Sequence, residues 1–244
     1  MHPPRMTHTG TLEPLYQKIE AAALESGSCL IGFADMSDLK GMPAGDAAVF
    51  EFPYAVTFAV EIPKEAARAS LEKPSEEIRS AYKMCNKKLK EAGEKIVQIL
   101  AAEGYKARFI DPSQRIDMEN LLGPISQKAI AARAGMGWIG KNGLFITDEY
   151  GPRQRMGAVL TDMPVTRKAK LVDSKCGECT ECIDRCAMKV LKETEFGHHP
   201  ESRDAVIDWK KCGVFEAKLI GDGSKPERAC GRCISVCPFS RLSE

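Results

Sequence analysis

The sequence carries almost no net charge, since 35 Lys and Arg against 34 Asp and Glu leave +1 over 244 residues. This balance gives no general argument for binding nucleic acid or an anionic membrane. No run of about 18 apolar residues is present, so no membrane-spanning helix is predicted. The first ten residues, MHPPRMTHTG, have neither the apolar core of a signal peptide nor a twin-arginine pair. We therefore expect a cytoplasmic protein.

Low-complexity segments and full internal repeats are also absent, and 43% hydrophobic with 28% charged residues excludes wholesale disorder. Apolar periodicity predicts helices over residues 11–26, 75–103 and 124–134. Ser75 is the expected N-cap of the long helix, with two glutamates in its first turn. Short apolar or β-branched runs predict strands over residues 29–34, 53–62, 105–110, 143–147 and 155–161. Such a mixture indicates an α/β or α+β domain over residues 1–170.

The cysteines are abundant and unevenly placed. There are ten, and eight of them fall in the last third, which predicts a second, thiol-rich domain over residues 171–244. A reducing cytoplasm makes metal binding the expected use of so many thiols, rather than disulfides. The two outside this region, Cys29 and Cys85, are interpreted as small buried residues rather than ligands.

The spacing of the eight cysteines is that of bacterial ferredoxins. Residues 176–186 read C-x2-C-x2-C-x3-C, and residues 230–238 read C-x2-C-x3-C-P. In two-cluster ferredoxins the last cysteine of each run ligates the other cluster. The first [4Fe–4S] cluster is therefore assigned to Cys176, Cys179, Cys182 and Cys237. The second is assigned to Cys186, Cys212, Cys230 and Cys233, because Cys212 is the remaining cysteine of this region.

Structural zinc is the alternative for these thiols, because two C-x2-C pairs are typical of zinc ribbons. The third cysteine of the first run and the terminal C-P are superfluous for zinc, which favours iron–sulfur clusters. Ala187 stands where ferredoxins usually carry proline, but that proline is not a ligand. Two neighbouring clusters indicate one-electron transfer. The sequence does not determine their reduction potentials.

A glycine-rich run, AGMGWIGKNG, occupies residues 134–143. Gly135, Gly137 and Gly140 match the dinucleotide motif G-x-G-x-x-G, but a predicted helix precedes them and a strand follows. The motif requires the reverse order, so a nicotinamide site is not expected. Either the run is an ordinary glycine-rich connection, or its backbone approaches a large ligand, with Trp138, Lys141 and Asn142 between the glycines.

The stretch GPISQKAIAARAGMGWIGKNGLFIT at 123–147 resembles the cobalamin-dependent epoxyqueuosine reductases. The continuation DEYGPRQRMGAVLTD at 148–162 resembles both those enzymes and the reductive dehalogenases. The order of the cysteines, with a lone Cys212 between the two runs, is similar to theirs as well. The resemblance is specific over residues 123–240 and looser over the rest of 28–240.

This resemblance implies an overall α+β fold, in which a nitroreductase-like α/β domain binds base-off cobalamin and precedes a two-[4Fe–4S] ferredoxin-like domain. One cluster then lies near the corrin and reduces it. The loop at 135–143 and the segment at 150–156 are implied to line the cobalamin site. The residues carried over are Gly135, Gly137, Trp138, Ile139, Gly140, Lys141, Asn142, Arg153, Arg155 and Met156.

The sequence departs from the reductases at their catalytic aspartate, because Leu121 stands three residues before Pro124, where the aspartate is expected. Asp117, Glu119 and Tyr150 are the weaker candidates for a proton donor. The sequence also ends seven residues after Cys237, without the reductases' helical repeats that help to hold tRNA. Together with the neutral charge, this makes tRNA a doubtful partner.

These observations predict an iron–sulfur redox protein in which two clusters reduce a bound corrinoid, as in an epoxyqueuosine-reductase-like enzyme of unknown substrate. A small molecule or a modified nucleoside is the expected substrate class, and a low-potential ferredoxin or flavodoxin is the expected electron donor. The alternative is an electron-transfer or corrinoid-reducing protein without substrate chemistry of its own, which the missing aspartate favours. A third, weaker hypothesis is a ferredoxin fused to a domain that no longer binds a corrinoid.

Overall fold

A four-stranded antiparallel sheet lies at the centre of the fold. The computed structural model describes residues 11–40, 42, 45–73, 75–117, 119–120, 122–213 and 230–242. The strands are β1 (Leu30–Asp35), β2 (Tyr54–Glu61), β3 (Ala107–Ile110), β4 (Trp138–Ile139), β5 (Phe145–Ile146) and β6 (Gln154–Thr161). The main sheet has the order β1-β2-β6-β3, while β4 and β5 pair separately as a short hairpin.

Helices cover both faces of this sheet. They are α1 (Glu13–Glu25), α2 (Lys64–Arg68), α3 (Glu76–Ala102) and α4 (Gln127–Arg133). The side chain of Ser75 caps α3 by accepting a hydrogen bond from the backbone N–H of Ile78 at 3.2 Å. The chain leaves α3 through Gly104, whose φ of +83° is the left-handed conformation that glycine adopts freely.

Alternating residues of β2 divide the core between the two faces. Phe58 and Val60 pack with α1 and α3, whereas Ala55 packs with Ala129 and Ile130 on the α4 side. All five are at most 2% exposed. Each large apolar side chain buried in this way contributes about 1.5–3 kcal/mol. The sheet is therefore a rigid platform with a helical layer on either side.

The C-terminal residues pack directly against this platform. Ile234 belongs to the same buried cluster as Ile78 of α3, and the Ser235 hydroxyl donates to the carbonyl of Ala67 in α2 at 2.6 Å. The thiol-rich part of the chain is built from short elements, namely Glu181–Asp184, Arg203–Val206, 209–213, Arg232–Ser235 and the 3-10 turn Pro238–Ser240. Two further 3-10 turns, Ser37–Leu39 and Ala47–Glu51, lie before β2.

The predicted helices and strands are confirmed within a few residues, and the fold is mixed α+β. The strand expected over 143–147 is reduced to Phe145–Ile146, because Gly140 and Leu144 close a tight loop with a 2.9 Å hydrogen bond. The short α2 and β4 were not predicted, since neither shows a long apolar period. The domain boundary at residue 170 stays a prediction. No helix in the described ranges is long and apolar enough to cross a membrane.

Candidate functional site

Four thiols from the C-terminal third of the sequence line one cavity. They are the predicted first set, Cys176, Cys179, Cys182 and Cys237. A turn closed by the Cys179 N–H on the Cys176 carbonyl at 3.0 Å presents the first two, and the helix Glu181–Asp184 presents the third. Cys237 comes from the opposite end of the sequence, immediately before the 3-10 turn Pro238–Ser240. The structure thus brings together four residues that span 62 positions of sequence.

The predicted second set is gathered around Cys233. Burial raises the pKa of the Cys233 thiol well above its usual range, and four neighbouring thiols raise it further. These neighbours are Cys186, Cys182, Cys230 and Cys212. Three of them are the other members of the second set. Cys182 belongs to the first set, so the two sets lie next to each other.

The four thiols of the first set are compatible with a cluster. Among the described residues, no three His, Cys, Asp or Glu side chains converge on one point as the ligands of a metal ion do. The four thiols of the first set are spread around a cavity, as is required when each thiolate binds a different iron of a [4Fe–4S] cluster. Burial raises the pKa of Cys182 to about 11 and of Cys237 to about 12. Metal binding must therefore displace protons from these thiols.

The glycine-rich loop forms one wall of the same cavity. Lys141, Asn142 and Ile146 line it together with the four thiols. The loop connects β4 to β5 and is closed by the Gly143 N–H on the Gly140 carbonyl at 2.8 Å. The prediction that this run lies against a bulky group is therefore compatible with its position.

The glycines themselves are explained by packing within the chain. A Cβ on Gly137 would overlap the carbonyl of Ile146 in the paired strand, and one on Gly140 would overlap the Ile146 side chain. Gly135 has φ +68°, and its Cβ would lie 2.7 Å from the carbonyl of Lys170. These contacts need no ligand, so the glycines alone do not support a corrinoid site.

Most side chains carried over for cobalamin binding are buried in the protein. Trp138, Ile139 and Met156 are 1%, 2% and 7% exposed. Trp138 packs edge-to-face on Phe239 with ring centroids 5.0 Å apart, and Ile139 and Met156 share a small apolar cluster. These three side chains therefore present almost no surface to a ligand.

The two arginines of the resemblance have separate roles in the structure. Arg153 is 2% exposed and donates to the Ser240 carbonyl at 2.9 Å, the Glu61 carboxylate at 2.6 Å and the Ile62 carbonyl at 2.9 Å. It therefore joins the C-terminal turn to the end of β2. Arg155 is only half-buried, donates to Asn86 and stacks over the ring of Tyr82 at 4.9 Å.

The candidate proton donors differ in their environment. Two backbone N–H groups, of Glu119 and Asn120, and the Asn120 side chain donate to the Asp117 carboxylate, and these bonds lower its pKa. Asp117 is thus a turn-forming carboxylate that holds a proton poorly, and Glu119 contributes its backbone to that turn. Leu121 lies outside the described residues. Burial raises the pKa of Tyr150, and the negative charges of Glu61 and Glu149 raise it further.

Sequence reasoning missed Lys128, a residue of α4 that contacts the glycine-rich loop. Its Nζ donates to the carbonyl of Gly143 at 2.5 Å and so fixes the end of the loop to α4. Burial lowers the pKa of this lysine to about 8, with a further contribution from the charge of Arg203. A single lysine in an amphipathic helix gives no local signal of such a contact.

Curated proteins with similar sequences are described as epoxyqueuosine reductases. The chain is 27% identical over 199 residues to an epoxyqueuosine reductase of Aliivibrio fischeri, covering 75% of this chain and 47% of that protein. It is 29% identical over 168 residues to an epoxyqueuosine reductase of Lactococcus garvieae, covering 66% and 42%. The chain resembles the epoxyqueuosine reductases. It spans less than half the length of these relatives, and no family model matches it.

Solved structures show the fold at lower sequence identity. The catabolic reductive dehalogenase NpRdhA superposes with a TM-score of 0.75 at 17% identity, over 97% of this chain and 34% of that one. A second dehalogenase structure, which suggests a mechanism for B12-dependent dehalogenation, gives 0.72 at 18% over 97% and 33%. Epoxyqueuosine reductase from Streptococcus thermophilus gives 0.62 at 20%, over 93% and 66%. An epoxyqueuosine reductase bound to a modified tRNA-Tyr stem loop gives 0.63 at 18%, over 95% and 66%.

Proposed function

We propose that this chain is an iron–sulfur oxidoreductase that uses two [4Fe–4S] clusters to deliver electrons to a corrinoid bound beside the glycine-rich loop. The named relatives are reductases, and one structural neighbour is a B12-dependent dehalogenase. Clusters in which four cysteines bind four irons suit both thiol sets. A low-potential ferredoxin or flavodoxin is the proposed donor.

A single observation carries this proposal. Lys141 and Asn142 of the glycine-rich loop line the cavity formed by Cys176, Cys179, Cys182 and Cys237. A ligand bound against the other side of this loop would be separated from a cluster in the cavity by residues of the loop itself. Cobalamin, when bound, supplies a low-valent metal centre for reductive chemistry, and the chain supplies position, electrons and protons.

Tyr150 is the residue that we propose holds the proton for substrate. Its backbone N–H is fixed by the Thr147 hydroxyl at 3.2 Å, in a turn that packs against Phe239 beside the thiol cavity. Because burial and nearby negative charge raise its pKa, the phenol stays protonated at neutral pH and can donate. Asp117 is less suitable, since its hydrogen bonds favour the carboxylate.

The proposed substrate class is a small molecule or a modified nucleoside. The chain carries Leu121 where the reductases carry their aspartate, and it matches less than half of their length. Because that aspartate is missing, reduction of an epoxyqueuosine-modified tRNA is a weaker proposal for this chain than for the structural neighbour solved with a tRNA stem loop. The alternative, an electron-transfer or corrinoid-reducing protein without substrate chemistry, rests on the same missing aspartate.

Anaerobic reconstitution with iron and sulfide, followed by addition of cob(II)alamin, tests the proposal. We expect about eight irons per chain and an EPR spectrum in which the cobalt becomes base-off. About eight irons with free, base-on cobalt would leave a two-cluster electron carrier. Zinc uptake without iron uptake would reject the iron–sulfur assignment. Tyr150→Phe, compared with Tyr54→Phe as a control, then tests the proton donor through the solvent isotope effect on substrate reduction.

A further inference from the structure

The turn that carries Cys186 lies at the surface of the molecule. Arg185, Ala187, Met188 and Lys189 are all exposed around this half-buried cysteine. Met188 is 40% exposed, although its side chain is large and apolar. We call these four exposed residues the Cys186 patch. The second thiol set therefore approaches the solvent at this patch.

Hydrogen bonds hold the Cys186 patch in one shape. The Cys186 N–H donates to the Ile183 carbonyl at 3.2 Å, and the Lys189 N–H donates to the Cys186 carbonyl at 3.1 Å. Lys189 has φ +47°, a conformation that side chains other than glycine rarely adopt. Its ammonium donates back to the backbone carbonyl of Asp184. The charge of this lysine is therefore kept close to the cysteine turn.

Three cations beside the second thiol set have no carboxylate partner among the described residues. They are Lys189, Lys210 and Arg232, which are close in sequence to Cys186, Cys212 and Cys233. Lys189 and Arg232 donate to backbone carbonyls, and Lys210 lies over a tryptophan ring at 5.6 Å from its centroid. Nothing in this part of the chain neutralises these three charges.

The two thiol sets differ in the charge of the segments that carry them. Within four positions of a second-set cysteine, the described residues include five cations and two carboxylates. Within four positions of a first-set cysteine, they include three cations and four carboxylates. Residues 214–229, outside the described residues, contain three acidic and three basic side chains and add no net charge. The surroundings of the second set are therefore the more positive.

A positive surface beside a redox cluster suits an acidic electron carrier. Complementary charge steers the encounter of two proteins and raises the rate of association. Met188 and Ala187 provide an apolar centre, and the cations provide a charged rim, which is the usual anatomy of a protein interface. Short-lived redox encounters bury small areas, so a patch of this size is sufficient. Ferredoxins of the plant type are small, acidic, low-potential one-electron carriers.

We propose that the Cys186 patch, together with the neighbouring Lys210 and Arg232, is the docking surface for an acidic ferredoxin. The reduced ferredoxin loses one electron and the second cluster gains it, with no bond made or broken and no proton transferred. The inference rests on the proposed function, because the second cluster must be present to accept the electron. It adds the place on the molecule at which electrons enter.

Charge changes at Lys189 test this inference in the reconstituted full-length chain. Reduced plant-type ferredoxin is mixed with each variant in an anaerobic stopped-flow instrument, and titration calorimetry with oxidised ferredoxin measures binding. At low ionic strength, both the rate constant of association and the affinity should fall about threefold in Lys189→Gln and about tenfold in Lys189→Glu. Salt at about 0.5 M should bring the variants and the wild type together, because it screens the charges.

Lys95→Glu is the matched control, because it makes the same change of charge at an exposed site of α3. Ile78, near the start of α3, lies against the second-set segment, since a Cβ on Gly231 would meet its side chain at 3.0 Å. Lys95 lies about 25 Å further along the helix. Its variant should bind and accept electrons from ferredoxin as the wild type does.

Photoreduced deazaflavin, a small uncharged donor, separates docking from a change in the cluster itself. It should reduce the wild type and all variants at the same rate, because it needs no charged surface. Lys210→Glu is a second charge reversal, which keeps the test available if Lys189→Glu does not retain about eight irons.

Wild-type ferredoxin binding and rates in both Lys189→Glu and Lys210→Glu overturn the docking surface and leave the proposed function intact. An equal loss in Lys95→Glu, or an equal loss with deazaflavin, overturns it as well. Tighter binding of an RNA stem loop than of ferredoxin, lost in Lys189→Glu, would assign the patch to nucleic acid instead. A wild-type chain that takes up no iron overturns both the docking surface and the proposed function.

Discussion

Asn142 donates a hydrogen bond of 3.2 Å from Nδ2 to the carbonyl of Cys233. Its Oδ1 accepts from the Leu144 N–H at 3.0 Å, and the same residue lines the cavity of the first thiol set. One buried side chain therefore contacts the glycine-rich loop, the first thiol cavity and the backbone of a second-set cysteine. The β4–β5 hairpin is thus joined by a hydrogen bond to the segment that carries the second thiol set.

Asn142→Ala should lower the free energy of unfolding by about 2 kcal/mol, because it leaves a part-buried carbonyl and a part-buried N–H without these partners. Urea denaturation of the reduced, metal-free chain measures this loss. Asn86→Ala is the comparison, since Asn86 donates to the exposed Ser113 hydroxyl and accepts from the Arg155 side chain, and no backbone group loses a partner. It should cost about 0.5–1 kcal/mol. Equal losses in the two variants would contradict the bridging role of Asn142.

Gly137→Ala tests whether the glycine-rich loop is dictated by its own packing. The added Cβ would overlap the Ile146 carbonyl across the β4–β5 pair, so we expect a loss of about 3 kcal/mol or more. At Gly197, in contrast, a Cβ would meet nothing within 4 Å, and φ is not in the left-handed region. Gly197→Ala should therefore stay within about 0.5 kcal/mol of wild type in thermal or urea unfolding. A stable Gly137→Ala chain would contradict the packing explanation.

Local patterns account for much of the fold and for less of the site. The 3.6-residue period and Ser75 predict α3, because the signals lie within a few residues of each other. The cysteine spacing predicts which four thiols share a cavity, because in two-cluster ferredoxins the last cysteine of each run ligates the other cluster. The roles of Arg153 and Lys128 could not be predicted in this way. Each depends on a contact between distant parts of the chain, which no local period encodes.

Arg153→Met distinguishes a structural arginine from a cofactor contact. The substitution leaves the Ser240 and Ile62 carbonyls unpaired and removes the partner of Glu61, whose side chain is 39% exposed. Because that exposure weakens the ion pair, we expect about 2–3 kcal/mol of destabilisation rather than the full value for a buried pair. The urea midpoint of the metal-free chain provides the measurement.

Arg155→Met is the comparison for Arg153→Met. Arg155 is half-buried, donates to the side chain of Asn86 and stacks over the ring of Tyr82. The substitution should cost about 1 kcal/mol or less. If Arg153→Met instead keeps wild-type stability and loses only cobalamin binding, Arg153 is a cofactor contact and its structural assignment is wrong.

The assignment of ligands predicts a particular iron count for each cysteine variant. Cys237→Ser and Cys212→Ser each remove one ligand from a different set, so each should retain about four of about eight irons. Cys29→Ala and Cys85→Ala are the controls. Their thiols donate to the carbonyls of Ala59 and Glu61 at 3.4 Å, and neither residue lines the thiol cavity. The iron content of both variants should therefore equal that of the wild type. Loss of iron in either control would show that the ligand sets are drawn wrongly.

Alkylation of the iron-loaded chain measures the reactivity of Cys29 and Cys85 alone, because the other eight thiols are proposed to bind iron. Burial raises the pKa of Cys29 to about 12 and of Cys85 to about 11. Only the thiolate reacts, so at pH 8 both should react at least about 100-fold more slowly than a free cysteine. Since a raised pKa means that thiolate accumulates only at higher pH, the rate should rise about tenfold per unit between pH 7.5 and 9.5. Mass spectrometry of iodoacetamide-labelled peptides measures both rates, and fast labelling at pH 7.5 would contradict the buried, protonated state of these thiols.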